Sequence, residues 1–288
     1  MRVLLMLTVC VFPSAAFSHE NHEGSVSLVI PAAVEQARVD VKTDGRYRYI
    51  ESNGIPDHKT GSFPNRGNPN RIAEQSHKYR VALNPARDSK QDIRGVTGVA
   101  INGIPFEPGT AEFWNGDRDW NYEALSGKVN LGLDDSNAHV QPNGTYHYHG
   151  IPWGLVRSIS EAGDLVHVGY ASDGFGIYVS RSGAYKSSYQ VRQGSRSDGP
   201  RGSYDGTFTA DYEYVAGSGD LDECNGAFVD SEYRYFATKE FPQLPRCAFG
   251  VVDSSFQRKG PPQGGGMRGQ GKRPPHPPFG APPRHGPF

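Results

Sequence analysis

Residues 141–149 read Gln-Pro-Asn-Gly-Thr-Tyr-His-Tyr-His, and the fold is best approached from this stretch. Asn143-Gly144 predicts a tight turn, because both residue types tolerate positive φ. Residues 145–149 then alternate polar and aromatic side chains with the two-residue period of a β-strand. Since neighbouring side chains on a strand point to opposite faces, His147 and His149 are predicted to share one face while the two tyrosines pack into the core.

A His-x-His pair on a strand can present two imidazoles to one transition-metal ion. Two ligands alone make a weak site, and His139, just before the turn, is the best third donor. Further ligand candidates are His58 and His167. Asp173, in an Asp-Gly turn, and Asp57, beside His58, are the candidate catalytic bases or the partners that orient a ligand imidazole. The cofactor that this pattern predicts is a divalent transition metal, zinc or copper.

A structural interpretation of the same residues remains open. The histidines can belong to an ordinary half-buried strand, hydrogen-bonded to backbone carbonyls, and Asp173 can cap its own turn. The sequence contains no GxSxG, HExxH or P-loop motif that would name a reaction. The predicted function is an exported metal-binding protein, either a metal-dependent hydrolase or an oxidase. The alternative is a non-enzymatic surface or matrix module that binds a glycan, a small molecule or a protein through Trp114, Trp120 and Trp153.

The composition favours β structure over helix. The chain holds 36 glycines, 22 prolines, 15 tyrosines and 14 phenylalanines, and long runs of helix-forming residues are absent. We therefore predict a mainly β fold, an antiparallel sandwich-like or mixed sheet with long Gly/Pro-rich loops. Besides the histidine strand, the strand candidates are residues 25–30, 46–50, 96–101, 165–170 and 175–179.

The ends of the chain differ from its centre. Arg2, an apolar run and small residues around Ser14-Ala15-Ala16 have the order of a secretory signal peptide, with cleavage after Ala16 or Ser18. A lipoprotein site at Cys10 is the alternative. The signal peptide predicts a periplasmic or secreted protein, and no later segment is apolar enough to span a membrane. The predicted organisation is a signal peptide (1–18), an N-terminal segment (19–45), a β domain (46–255) and a disordered basic Pro/Gly-rich tail (256–288).

Charge is unevenly distributed along the chain. From residue 254 onward the sequence contains six basic residues and no acidic ones, whereas the whole chain has a net charge of −1. The remainder is therefore acidic, which argues against nucleic-acid binding by the β domain. The basic tail is predicted to contact an anionic polymer.

Three cysteines are present, and Cys10 lies in the predicted signal peptide. Cys224 and Cys247 remain, and an even pair in an exported protein predicts one disulfide. Ligation of a metal by the two thiols is the rival interpretation, although no CxxC spacing supports it.

Tyr146-His147-Tyr148-His149 is also the motif that names the YHYH domain family of exported, mostly uncharacterised proteins, which this chain resembles over residues 50–250. The resemblance extends to residues 98–105, 137–144, 169–178, 221–226 and 241–247. It implies a shared domain and an exported location but no established activity. This chain departs from the family pattern in having Gly176 where proline is expected, and Ser136 where some relatives carry cysteine. Residues 233–236 lack the histidine that a second Tyr-His-Tyr-like stretch often has there.

Overall fold

The computed structural model describes residues 36–257, and their secondary structure is mainly β, as predicted. The predicted signal peptide, the strand candidate at 25–30 and the tail from residue 258 lie outside the described residues. The strands are β1 (Val39–Thr43), β2 (Tyr47–Ser52), β3 (His77–Ala82), β4 (Gln91–Asp92), β5 (Gly98–Ala100), β6 (Pro105–Phe106), β7 (Ala138–Val140), β8 (Tyr146–Tyr148), β9 (Leu165–Ala171), β10 (Gly176–Ser180), β11 (Tyr189–Val191), β12 (Tyr212–Tyr214), β13 (Gly226–Val229), β14 (Glu232–Phe236) and β15 (Cys247–Ala248). Helical structure consists of α1 (Trp153–Ser158) and 3-10 turns at Trp114–Gly116, Thr209–Asp211 and Ser254–Phe256.

The largest sheet in the described residues has eight strands in the order β13-β14-β10-β9-β5-β6-β8-β7. It is a mixed sheet, because β10 pairs with β14 and β6 pairs with β8 in parallel, whereas the other neighbours are antiparallel. Parallel partners cannot be joined by a tight turn. Residues 107–137 accordingly form a long excursion between β6 and β7. The histidine hairpin, formed by β7 and β8, lies at one end of this strand order.

The tyrosines of the histidine strand belong to the main core. Tyr146 and Tyr148 are both 0% exposed and pack among Phe106, Val140 and Leu155. Burying a large apolar side chain contributes about 1.5–3 kcal/mol relative to leaving it in water. This packing fixes which face of β8 points inward, since slipping the strand by one residue would exchange the tyrosine and histidine faces.

A separate three-stranded antiparallel sheet, ordered β1-β2-β3, packs beside the large one. Its buried residues Ile50, Tyr79 and Val81 form a second apolar cluster with Val99 of β5 and Phe256. Val99 belongs to the large sheet, so this cluster connects the two sheets. Strand β1 is exposed along its whole length.

Cys224 and Cys247 form the predicted disulfide. It links the segment before β13 to β15, which pairs with β4. The two half-cystines are 23 residues apart in sequence. Thiol ligation of a metal is thereby ruled out for the oxidised protein.

Replacing both cysteines by serine should lower the free energy of unfolding by about 3 kcal/mol, because closing a loop of this length restricts the unfolded chain. Urea unfolding of the oxidised wild type and the double variant measures the difference. Reducing the wild type should reproduce the same loss. A stability unchanged by both treatments would contradict the prediction.

Candidate metal centre

The three histidines of residues 139–149 come together at the hairpin. His139 lies directly opposite His147 in the antiparallel register of β7 and β8, and His149 follows one residue after β8. Each pair of rings has its centroids 4.7 Å apart. One potential ligand atom from each residue can be chosen so that all lie within 4.8 Å of one another. Among residues 36–257 this is the only group of three or more His, Cys, Asp or Glu side chains arranged in this way.

Backbone carbonyls orient two of the rings. His139 Nδ1 donates to the Leu131 carbonyl at 2.8 Å, and His147 Nδ1 donates to the Thr145 carbonyl at 3.3 Å. A neutral imidazole carries one N–H, so a proton on Nδ1 places the lone pair on Nε2. This arrangement fixes the tautomer in the way that carbonyl partners do for metal-binding histidines.

His149 is the unusual member of the group. Its side chain is 1% exposed, and neither ring nitrogen has a hydrogen-bond partner among the described residues. Burial lowers the pKa of His149 well below its ordinary value, and charge on His147 and His139 lowers the pKa further. The Pro108 carbonyl acts in the opposite direction and raises the pKa of His149, although its contact with the ring does not have hydrogen-bond geometry. His149 is therefore a neutral, buried imidazole whose polar atoms are unsatisfied, which costs about 1–3 kcal/mol.

The Glu123–Arg246 ion pair lies beside Pro108, whose carbonyl is close to His149. Arg246 Nη2 donates to Glu123 Oε2 at 2.7 Å and to the Pro108 carbonyl at 3.3 Å. Glu123 is 1% exposed, and burial raises the pKa of its carboxyl against the opposing influence of Arg246. This pair was not predicted from the sequence. The two residues are 123 positions apart, so no local pattern signals their contact.

His58 and Asp57 lie on the tyrosine side of β8, away from the triad. Tyr148 Oη donates to His58 Nε2 at 2.6 Å, while His58 Nδ1 donates to the Lys59 carbonyl at 3.0 Å. Asn102 Nδ2 donates to Tyr148 Oη at 3.0 Å and to Asp57 Oδ1 at 2.7 Å. Burial raises the pKa of Tyr148 well above its ordinary value, so the hydroxyl stays protonated. These contacts anchor β8 on the face opposite the triad.

His167 and Asp173 are also separate from the triad. The His167 ring lies 4.7 Å from the ring of Tyr170 and 5.1 Å from that of Tyr178. Burial lowers the pKa of His167 to about 4. Asp173 accepts hydrogen bonds from the Tyr235 hydroxyl at 2.8 Å and from two backbone amides. The structure therefore brings His139, His147 and His149 together and does not bring the other four predicted site residues to them.

Trp120 is not part of an exposed patch, whereas Trp114 and Trp153 are partly exposed. Trp120 is 8% exposed, and its ring packs edge-on against Phe208 with centroids 5.5 Å apart. A side chain at Gly199 would collide with the Trp120 indole. The prediction of a contact surface that includes Trp120 is wrong, because Gly199 and Phe208 pack against this ring.

Together the fold and the triad define a mainly β protein with a three-histidine group that could hold a metal ion. The family model described as "YHYH protein" matches residues 78–250, and the chain belongs to this family. No curated protein and no solved structure matches the chain. Within residues 36–257, no helix has the length and apolar character needed to cross a membrane.

Proposed function

We propose that this protein is exported and binds one divalent transition-metal ion, zinc or copper, through His139, His147 and His149. The observation that carries the proposal is the convergence of the three rings, with potential ligand atoms within 4.8 Å of one another. The buried, unpartnered nitrogens of His149 support it, because a cation would satisfy a group that the protein alone leaves unsatisfied.

The donor set fits a transition metal better than a hard cation. The group contains three neutral imidazoles, which suit zinc, copper or nickel, whereas calcium and magnesium prefer oxygen ligands. Around a tetrahedral zinc ion with bonds near 2.1 Å, donor nitrogens lie about 3.4 Å apart. The donor atoms would therefore approach one another by up to about 1.4 Å on binding. Three protein ligands leave a fourth position open, as in catalytic rather than structural sites.

Two reaction classes are compatible with a three-histidine site. A hydrolase would use zinc to lower the pKa of a bound water, and an oxidase would use copper. Asp173 and Asp57, the bases considered from the sequence, are bound to Tyr235 and Asn102. Neither is proposed as the base. Export is supported by the disulfide, since such bonds persist in oxidising compartments.

The test is metal titration of the purified full-length protein after chelation and dialysis. We expect one zinc or copper ion per chain, and a stabilisation of about 2.7 kcal/mol when the free metal reaches a hundred times its Kd. His147→Gln should abolish both effects. His77→Gln is the matched control, because His77 is a partly buried histidine in the three-stranded sheet. Metal uptake that is the same in both variants, or absent from the wild type, would overturn the proposal.

A further inference from the structure

A row of stacked side chains lies on the face of the large sheet near the three-stranded sheet, away from the metal centre. Its members are Arg48, Tyr170, His167, Tyr178 and Arg234, here called the stacked row. The Arg48 guanidinium lies 4.0 Å from the Tyr170 ring centroid, and that of Arg234 lies 4.9 Å from the Tyr178 centroid. The His167 ring lies between the two tyrosines. All five side chains are partly exposed.

A β-bulge makes this row. His167 and Tyr170 are three residues apart on β9, so a regular strand would place them on opposite faces. The pairing of β9 with β10 shifts between Ile177 and Tyr178, which leaves an extra residue in β9. The extra residue restores both rings to one face, as bulges re-aim side chains. The same bulge explains why His167 cannot be assigned to a face from the sequence.

Gly176 provides the space for Tyr178. A Cβ atom at position 176 would lie 2.7 Å from Tyr178 Cε2 and 3.4 Å from His167 Cδ2. The row therefore depends on the absence of a side chain at position 176.

The polar groups of the row are largely unengaged within residues 36–257. The Arg48 guanidinium has no carboxylate partner there, whereas Arg80 on the adjacent strand pairs with Asp253 at 2.8 Å. Arg234 donates to Glu232 through Nη2, but its Nε has no acceptor. The Arg48 guanidinium, the remaining terminal N–H groups of Arg234 and the edges of three rings are thus available to a ligand, whereas Arg234 Nε is buried.

From this arrangement we propose that the stacked row binds an acidic oligosaccharide, a sugar chain that carries carboxylate groups. One face of each tyrosine is covered by a guanidinium, so the ring edges and the flat guanidinium groups supply the surface for sugar rings. A guanidinium also binds a carboxylate with two parallel hydrogen bonds. The row is a shallow strip on a sheet, which suits an extended ligand. A single-stranded nucleic acid would also stack on the rings, but it carries a charge at every nucleotide. The row offers two arginines, one of them already paired with Glu232.

The test is calorimetric titration of the full-length protein with a hyaluronan oligosaccharide, which carries a carboxylate on every second sugar, and with the same oligosaccharide after its carboxylates are reduced to alcohols. Saturable binding to the acidic form is expected, with at least tenfold weaker binding to the reduced form. Arg48→Gln should weaken binding of the acidic form about tenfold. Arg46→Gln is the matched control, because Arg46 also lies over a tyrosine, Tyr47, on the same chain segment but outside the row.

Two additional measurements test the ring packing separately from charge, and the stacked row separately from the metal. Gly176→Ala should weaken binding several-fold, since the added methyl group displaces Tyr178, and it tests the row without altering charge. Binding should persist in chelator and in His147→Gln, so failure of the metal proposal would not affect this one. Equal affinity of Arg48→Gln and Arg46→Gln, absence of saturable binding, or tighter binding of a single-stranded oligonucleotide would each overturn the assignment.

Discussion

Replacing His149 by leucine should remove metal binding and leave the metal-free protein at least as stable as the wild type. Leucine is apolar and of similar size, so it fills the same buried space. It also removes two ring nitrogens that have no hydrogen-bond partner among the described residues. Relief of that cost should raise the free energy of unfolding of the metal-free protein by about 1 kcal/mol. Affinity for the metal should fall at least about a hundredfold, or about 2.7 kcal/mol.

The measurement pairs metal titration with urea unfolding in chelator. His58→Leu provides the contrast, because His58 is also buried but both of its ring nitrogens are hydrogen-bonded. That variant should lose about 2–4 kcal/mol of stability, since Tyr148 and the Lys59 carbonyl lose their partner. A metal-free His149→Leu protein that is less stable than the wild type by a similar amount would indicate that the ring has a structural role. Undiminished metal uptake would remove His149 from the site.

Asp173→Ala should destabilise the protein by about 3–5 kcal/mol without weakening metal binding in the fraction that folds. The carboxylate accepts hydrogen bonds from the Tyr235 hydroxyl and from the amides of Gly250 and Phe175. It is 2% exposed, so alanine would leave three buried donors without an acceptor. Asp173 is thus expected to be a structural residue that ties β14 and the segment after β15 to the β9–β10 turn.

Asp44→Ala is the control for this variant. Asp44 also accepts three hydrogen bonds, from the amides of Arg46 and Tyr47 and from the Tyr49 hydroxyl, but it lies in an exposed hairpin turn. Water can replace the lost acceptor there, so the loss of stability should be much smaller. Urea unfolding compares the two variants, and metal titration in the native buffer tests the site. If Asp173→Ala unfolds like the wild type but loses its metal, the carboxylate belongs to the metal centre after all.

The parts of the site that the sequence predicted are those that depend on local geometry. The turn at Asn143-Gly144 and the two-residue period after it define the hairpin, and the apolar face of the tyrosines fixes its orientation. Consequently the juxtaposition of the three histidines could be inferred without any knowledge of the rest of the fold.

The misplaced candidates depend on contacts between distant parts of the chain. His58 meets Tyr148 across 90 residues, and Asp173 meets Tyr235 across 62. A histidine or aspartate beside a turn has the same appearance in sequence whether it binds an ion or a tyrosine hydroxyl. His167 lies apart from the triad on a strand with a bulge, and a bulge alters the alternation by which faces are assigned from sequence.

The same distinction applies to the fold. The strand candidates at 46–50, 96–101, 165–170 and 175–179 correspond to β2, β5, β9 and β10. The parallel pairing of β6 with β8 and of β10 with β14 was not predictable, because strand order is decided by packing among segments far apart in sequence.

The confinement of all three histidines to residues 139–149 has a consequence for the order of events during biogenesis. The entropic cost of bringing chain segments together grows with the length of the loop that is closed, and here a single short turn suffices. Hairpins close in microseconds, long before distant strands of a mixed sheet can pair. A newly synthesised chain would therefore bring its three imidazoles together while most of the sheet is still unformed. On the proposed function, an ion bound at that stage would hold the hairpin closed as the remaining strands assemble.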